Sequence, residues 1–304
     1  MDVLSEAEWR ARRDAHLDRV REWTVPYRAR RQRDEPHPVL DFMWNYYSVR
    51  PSVLERWQPP VGIALAGGDE FLARREFTTT PRGVALAPEA LTAKRRTVVR
   101  SVLRLLAATA SRAPRLHCFG LHEWAMVYRS TPLDVRHSAV PLRLGHAGTD
   151  AVVESMPIRC THHDAFRFFT EEARPLNAHQ PRRSDQVELE QPGCLHANMD
   201  LFKWSFKLAP FVPAELVADC FAFALRIREV DMRASPYDLR AYGYEPIPVE
   251  ESAGRTDYAR RQRAFAEEGA ELRGRLLDTG RSVLRWAGEP LDADPTAAGS
   301  AHRG

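Results

Sequence analysis

Pro213-Ala-Glu-Leu-Val-Ala-Asp-Cys-Phe-Ala-Phe-Ala-Leu-Arg-Ile-Arg228 is the stretch on which the fold turns. Leu216, Val217, Cys220, Phe221, Ala224, Leu225 and Ile227 recur at helical spacing. Pro213 suits a helix start, because the N–H it lacks would be unpaired there anyway. A helix this apolar has to be covered on most sides, so it is expected at the centre of a helical core.

On its C-terminal side, Asp231-Met-Arg-Ala-Ser-Pro-Tyr-Asp238 closes the helix around a proline turn. A Pro- and Tyr-rich connection, 236–248, leads to a charged helix from about Thr256 to Trp286, and past Gly288 the composition is that of a disordered tail. On its N-terminal side, Leu195, Met199, Phe202 and Phe206 mark a helix beginning near Cys194. Thr161-x-x-Asp164 ahead of Phe166, Phe168 and Phe169 matches a capping box. Leu121, Trp124, Ala125 and Tyr128 mark another helix. Leu91, Val98, Val102, Leu105 and Leu106 share one face of a helix opened by Pro88 and ended by Pro114.

Strands are expected at Val61–Ala66 and Val84–Leu86, with edge strands at Val140–Leu144 and Ala151–Cys160. Ser5 to about Arg33 is an Arg-, Glu- and Ala-rich helix, broken at Pro26. An aromatic cluster follows it: Phe42, Trp44, Tyr46, Tyr47 and Trp57. The fold class is therefore mainly α (α+β), a helical core with a small peripheral antiparallel sheet. Residues 1–35 form a basic amphipathic helix, 36–287 a single helical globular domain, and 288–304 a disordered tail.

A chain of 304 residues can bury a substantial core, and 44% hydrophobic with 28% charged residues is the balance of a globular protein. The net charge of +3 supplies no strong overall field for nucleic acid or an anionic membrane. Lys94, Lys203 and Lys207 are the only lysines, so arginine carries almost all the positive charge. That skew suits phosphate and carboxylate recognition, but GC-rich codon usage produces it too. The arginines of the first helix have the same two readings, phosphate contact or a solvated face paired with the chain's own acids.

Cys118, Cys160, Cys194 and Cys220 show no CxxC spacing, which argues against a disulfide scaffold and a zinc ribbon. Met1 precedes a charged segment rather than an apolar signal core, and no run approaches the ~18 apolar residues of a membrane span. The cytoplasm is the expected compartment, with no membrane partner.

Eight of the eleven histidines lie between His117 and His196, within the most site-like region, about Leu116 to Leu239. Three segments each begin near a cysteine: Cys118 with His122-Glu123, Cys160 with His162-His163-Asp164, and Cys194 with His196 and Asp200. A divalent metal (Fe, Zn or Mn) needs three or four N, O or S ligands converging from separate elements, and His122, His162, His163 and His196 are the candidates. His196 and Asp200, four apart, share a helical face and suit either one metal ion or an acid/base pair. In the bland alternative, His196, Asp200, Lys203 and Lys207 form the polar stripe of a half-exposed helix, and Asp164 serves as a cap. HExxH, paired CxxC and EF-hand patterns are missing, as are GxGxxG, GxxxxGK[ST] and GxSxG.

Several segments resemble a family of actinobacterial proteins of about this length commonly named 3-methyladenine DNA glycosylase. They are His37-Pro38 with Asp41-Phe42 and Tyr46-Tyr-Ser-Val-Arg-Pro51; Gly120-Leu-His-Glu-Trp-Ala-Met-Val-Tyr128; Arg159-Cys-Thr-His-His-Asp-Ala-Phe-Arg-Phe-Phe169; Gly193-Cys-Leu-His-Ala-Asn-Met-Asp-Leu-Phe-Lys203; and Asp231 to Leu239. The resemblance spans Pro36 to about Arg261. It implies a hydrolase in DNA repair that releases alkylated purines from DNA. Such an enzyme extrudes the damaged nucleotide, holds its base between aromatic faces and stabilises positive charge with an ionised carboxylate.

On that view Glu123, Asp200 and Asp231 are the catalytic candidates, with Trp124, Tyr128, Asn198, Arg233, Tyr237 and Asp238 binding substrate. Gln191-Pro-Gly-Cys-Leu195 lacks the second glycine of a helix-hairpin-helix phosphate turn. The alternatives are a metal-dependent enzyme, with iron among the metals, acting on a small molecule, and a non-catalytic binding protein.

Overall fold

The computed structural model describes residues 1–131 and 140–290. Its elements run β1 (Asp2–Leu4), α1 (Glu6–Gln32), α2 (Phe42–Tyr46), α3 (Pro51–Leu54), β2 (Ile63–Leu65), β3 (Phe77–Thr80) and β4 (Gly83–Leu86). There follow α4 (Ala93–Ala110), α5 (Leu121–Ala125), α6 (Gly145–Ser155), α7 (His163–Phe166), α8 (Gln186–Leu189), α9 (Leu195–Lys207), α10 (Ala214–Arg233) and α11 (Ser252–Trp286). The fold is mainly helical with one small sheet. No described helix is long and apolar enough to cross a membrane. The tail expected after Gly288 lies, beyond residue 290, outside the described residues, as does the stretch 132–139.

α10 occupies the centre, packed against α9, α11, α1, α2 and α3. Phe221, Phe223, Ala224 and Ile227 are fully buried, each large side chain contributing ~1.5–3 kcal/mol by leaving water. The acids on its outer side are met by arginines of its neighbours. Arg12 donates to Glu215, while Arg19 and Arg275 bracket Asp219. Most arginines of α1 are thus matched by the chain's own carboxylates, including Arg28 with Glu55 and Arg30 with Asp41.

The sheet has strand order β1-β2-β4-β3. β3 and β4 form an antiparallel hairpin and β2 pairs antiparallel with β4, but β1 joins β2 in parallel, Asp2 opposite Ile63. The sheet is mixed rather than antiparallel because β1 runs straight into α1, which lies over it. Trp9 of α1 is buried there among Trp57, Leu65 and Phe71, with its indole N–H donating to Ala66 O.

Several local expectations need correction, among them the helix start at Pro88, which is a separate short turn ahead of α4 and its cap Thr92. α1 continues through Pro26, whose ring sits on the exposed face, while Thr24 bonds Glu55 and Tyr27 stacks on Trp44 to hold the flanking turns inward. Ala151–Cys160 is no strand. Most of its first half is helix α6, where burial of Val152 and Val153 outweighs the few tenths of a kcal/mol by which β-branching disfavours a helix. The extended remainder and Val140–Leu144 each make a single bridge, Ile158 with Asn177 and Leu142 with Tyr237. Finally, Thr161 and Asp164 form no capping box. α7 begins at His163, and the Asp164 carboxylate instead accepts from the Lys203 ammonium at 2.8 Å, a stronger charge-assisted bond.

α11 comes close to α9 at Gly269, where a Cβ would lie 2.4 Å from Asn198 Oδ1. Asn198 cannot give way, since Oδ1 accepts from Arg273 and Nδ2 donates to Pro192 O. Gly269→Ala is expected to destabilise the protein by ~1–3 kcal/mol through overpacking, measured by denaturant unfolding; an unchanged midpoint would refute this close contact.

His16 is buried in α1 with Nε2 donating to Leu54 O. Burial, only partly offset by that bond, pushes its pKa below the ordinary 6.5. The unfolded chain therefore takes up a proton near pH 6.5 that the folded chain refuses, so this contribution to stability is lost as pH falls from there toward the folded value. His16→Gln should flatten the slope of unfolding free energy against pH below 6.5; an unaltered slope would contradict it.

Candidate functional site

The chemistry-bearing side chains come from five short stretches of backbone. Gly120, at φ +72°, turns the chain into α5, which carries His122 and Glu123. His162 stands at the N-terminal cap of α7, and Glu190 follows α8. α9 carries His196, Asp200 and Lys203, and α10 carries Arg228 and Asp231 near its C-terminal end.

Asp231 is fully buried, and each of its oxygens has a partner. His122 Nε2 lies 2.9 Å from Oδ1, and Arg228 Nη1 lies 3.3 Å from Oδ2. The same Arg228 nitrogen donates to Glu123 Oε1 at 2.7 Å, and the guanidinium lies over the Phe42 ring. On its other side His122 presents Nδ1 to Cys118 Sγ at 3.4 Å. Burial opposes a charge on His122, but the Asp231 carboxylate and Cys118 outweigh it and hold its pKa well above the ordinary value. Burial would likewise raise Asp231, and the charge of His122 overrides it and holds that carboxyl low.

The His196 ring meets His122 edge-on, with centroids 4.5 Å apart. Burial first, and then the charge of His122, push His196 well below its ordinary pKa, so it is a neutral imidazole. One ligand atom each from His122, His196 and Asp231 lie within 4.8 Å of one another, the spacing of a metal-binding group. His122 and His196 form part of the lining of a cavity of about 330 Å³, with Cys118, Cys160 and Cys194 on its walls. The Cys160 and Cys194 thiols are pushed up chiefly by burial and stay protonated.

A second buried cluster adjoins the first. The His162 ring lies 5.3 Å from that of His196. Its Nε2 is 3.4 Å from Asp200 Oδ2 and 3.9 Å from Glu190 Oε2, and neither ring nitrogen has a hydrogen-bond partner. Asp200 accepts from Tyr47 Oη at 2.9 Å and from Lys203 Nζ at 2.8 Å. Burial would raise the Asp200 carboxyl, but Lys203 holds it far below the usual range. The stripe from His196 to Lys203 is therefore an interior feature, not the solvated face of a half-exposed helix.

Among the candidates read from the sequence, His122, Glu123, His162, His196, Asp200 and Asp231 come together. The others lie apart. His163 is half-buried beside Asp164. Trp124 is buried with its indole donating to Ala234 O, and Tyr128 bonds Glu154. Asn198 faces α11, Arg233 reaches Glu229 and Glu245 O, and Tyr237 belongs to a separate apolar cluster. Asp238 pairs with Arg240. Sequence reasoning passed over Arg228, although a charge inside the apolar stripe of α10, three residues before Asp231, was a usable signal. Glu190, and Arg115 and Tyr258 of the cavity lining, carried none, because they sit on irregular or charged segments.

No protein-family model, no curated protein and no solved structure matches this chain.

Removing Arg228 would leave Asp231 with His122 alone and the buried Glu123 carboxylate without its ion-pair partner. Arg228→Leu is expected to cost ~3–5 kcal/mol in chemical unfolding, and a loss near zero would mean that the guanidinium does not hold these carboxylates.

Proposed function

We propose that this chain is an enzyme that holds one divalent transition-metal ion on His122, His196 and Asp231 and acts on a small molecule admitted through the adjoining cavity. The observation that carries this reading is the convergence of two imidazoles and a carboxylate, from three different helices, beside a cavity that reaches solvent. Two histidines and one carboxylate are a common donor set for zinc, iron or manganese, and they leave coordination positions open. Cis ligands about 2.1 Å from an ion stand roughly 3 Å apart. The 2.9 Å between His122 Nε2 and Asp231 Oδ1 suits that arrangement as well as it suits a hydrogen bond.

When bound, such an ion polarises a substrate oxygen or lowers the pKa of a water. The chain's own residues would set its geometry. Arg228 braces the second oxygen of Asp231, and Cys118 lies against the remote nitrogen of His122, the outer contacts that orient ligands. Base excision from DNA, the reading by resemblance, has less support, because none of Trp124, Tyr128 or Tyr237 lines the cavity beside His122 and His196. Without a metal, the His122–Asp231 pair is a general acid–base couple facing the same cavity.

Purified protein is expected to carry one equivalent of zinc, iron or manganese by elemental analysis, lost in His122→Ala and His196→Ala. Because Asp231 keeps His122 protonated when no metal is bound, uptake should release a proton and weaken as pH falls. Protein that stays metal-free after anaerobic reconstitution with all three ions would end this reading.

A further inference from the structure

The mouth of the cavity has a character of its own. Arg115 and Arg159 both line it, together with His117 and His179, and among the described residues no carboxylate does. Neither arginine has an ion-pair partner among the described residues, in contrast to the arginines of α1 that meet carboxylates of the chain. Deeper in, the walls are thiols, imidazoles, Thr161, Gln191, Leu195 and Tyr258, so among the described residues of the lining none carries a negative charge toward the two guanidinium groups. Asp231, the nearest carboxylate of the metal-binding group, is wholly buried behind His122 and already neutralised by it and Arg228.

The two segments that present these arginines are clamped by buried amides. Gln191 accepts from the Arg115 N–H at 2.8 Å and from the Gly193 N–H at 2.7 Å, and its own Nε2 donates to Arg115 O. A Cβ on Gly193 would lie 2.6 Å from Arg115 O, so the two strands of chain touch there. On the opposite segment, Asn177 accepts from the Cys160 N–H at 2.7 Å and donates to the carbonyls of Cys160 and His179. The backbone at Cys160, next to Arg159, and at His179 is thereby fixed, as is that of Arg115. With the backbone fixed, only the arginine side chains remain to be ordered when a ligand binds.

We propose that the cavity takes a small organic anion, whose carboxylate or phosphate is gripped by Arg115 and Arg159 while its other end reaches His122 and His196. Planar guanidinium groups match both oxyanions in bidentate geometry. A volume of about 330 Å³ is at the lower end of the ~300–1,000 Å³ range of ligand pockets, which sets the ligand as a small metabolite. This names the substrate class of the metal-dependent reading and rests on it for what happens at the inner end, but not for the anion grip.

The test is calorimetric titration at low salt of the full chain, metal-loaded and chelator-treated, with succinate, glycerol 3-phosphate and a short DNA duplex. The wild type should bind one or both small anions, succinate alone indicating a carboxylate ligand and glycerol 3-phosphate alone a phosphate. Arg115→Gln/Arg159→Gln, which alters only exposed side chains, should weaken that binding about tenfold or more with the unfolding midpoint unchanged. No binding of either small anion, binding indifferent to the double substitution, or binding of the duplex alone would overturn the proposal. Arginine-dependent anion binding by a protein that takes up no metal would support the anion site and end the metal reading. Metal uptake without anion binding would do the reverse.

Discussion

Asp231 is the constraint around which the rest is arranged. A carboxylate with no solvent exposure near the end of the central helix is tolerable only if its charge is met on the spot. His122 meets one oxygen and Arg228 the other. Arg228 in turn requires Glu123, its neighbour on α5. Four ionisable groups from two helices therefore have to be installed together, and doing so docks the short helix α5 on α10 in one register. Gly120 makes the approach feasible, its α-carbon facing the side chains of Ala234 and Tyr258 at distances where a larger residue would crowd them.

α9 supplies the second half of the arrangement by being buried on nearly every side. Its His196 faces the cavity and the His122 ring, and one turn later Asp200 faces Tyr47 and Lys203. Asn198, between them, points to α11 and accepts from the buried Arg273. The imidazole at the cavity is thus carried by a helix whose rotation is fixed from both sides by polar contacts that tolerate little slip. His162 closes the cluster from a loop, and its ring nitrogens stay without hydrogen bonds.

The arginines of this protein divide by what surrounds them. Those of α1 fasten that helix to α10 and to the segment after it, through Glu215, Asp219, Glu55 and Asp41. Their role is internal, consistent with a net charge of only +3. Arg115 and Arg159 stand at an opening whose walls, among the described residues, hold no acid. The same side chain fastens helices in one place and presents an anion grip in the other, and the difference lies in whether a carboxylate of the chain comes within reach.

The residues alone determined that α10 is central, that helices precede and follow it in the chain and that the protein is mainly helical, because apolar spacing is a local signal that burial then satisfies. They also brought forward His122, His162, His196, Asp200 and Asp231, since imidazoles and carboxylates stand out by type. Tertiary structure decided what spacing cannot encode. α1 runs through Pro26 because its neighbours pack inward, Val152 and Val153 lie in a helix because burial outweighs their β preference, and Asp164 meets Lys203 instead of capping α7. It likewise separated Trp124, Tyr128 and Tyr237 from the cavity, placed Arg115 and Arg159 on its lining and set Arg228 against Glu123 and Asp231. Which charged group faces which depends on contacts between residues 109 positions apart, as His122 and Asp231 are, or 203, as Arg12 and Glu215 are, and only the folded chain settles those.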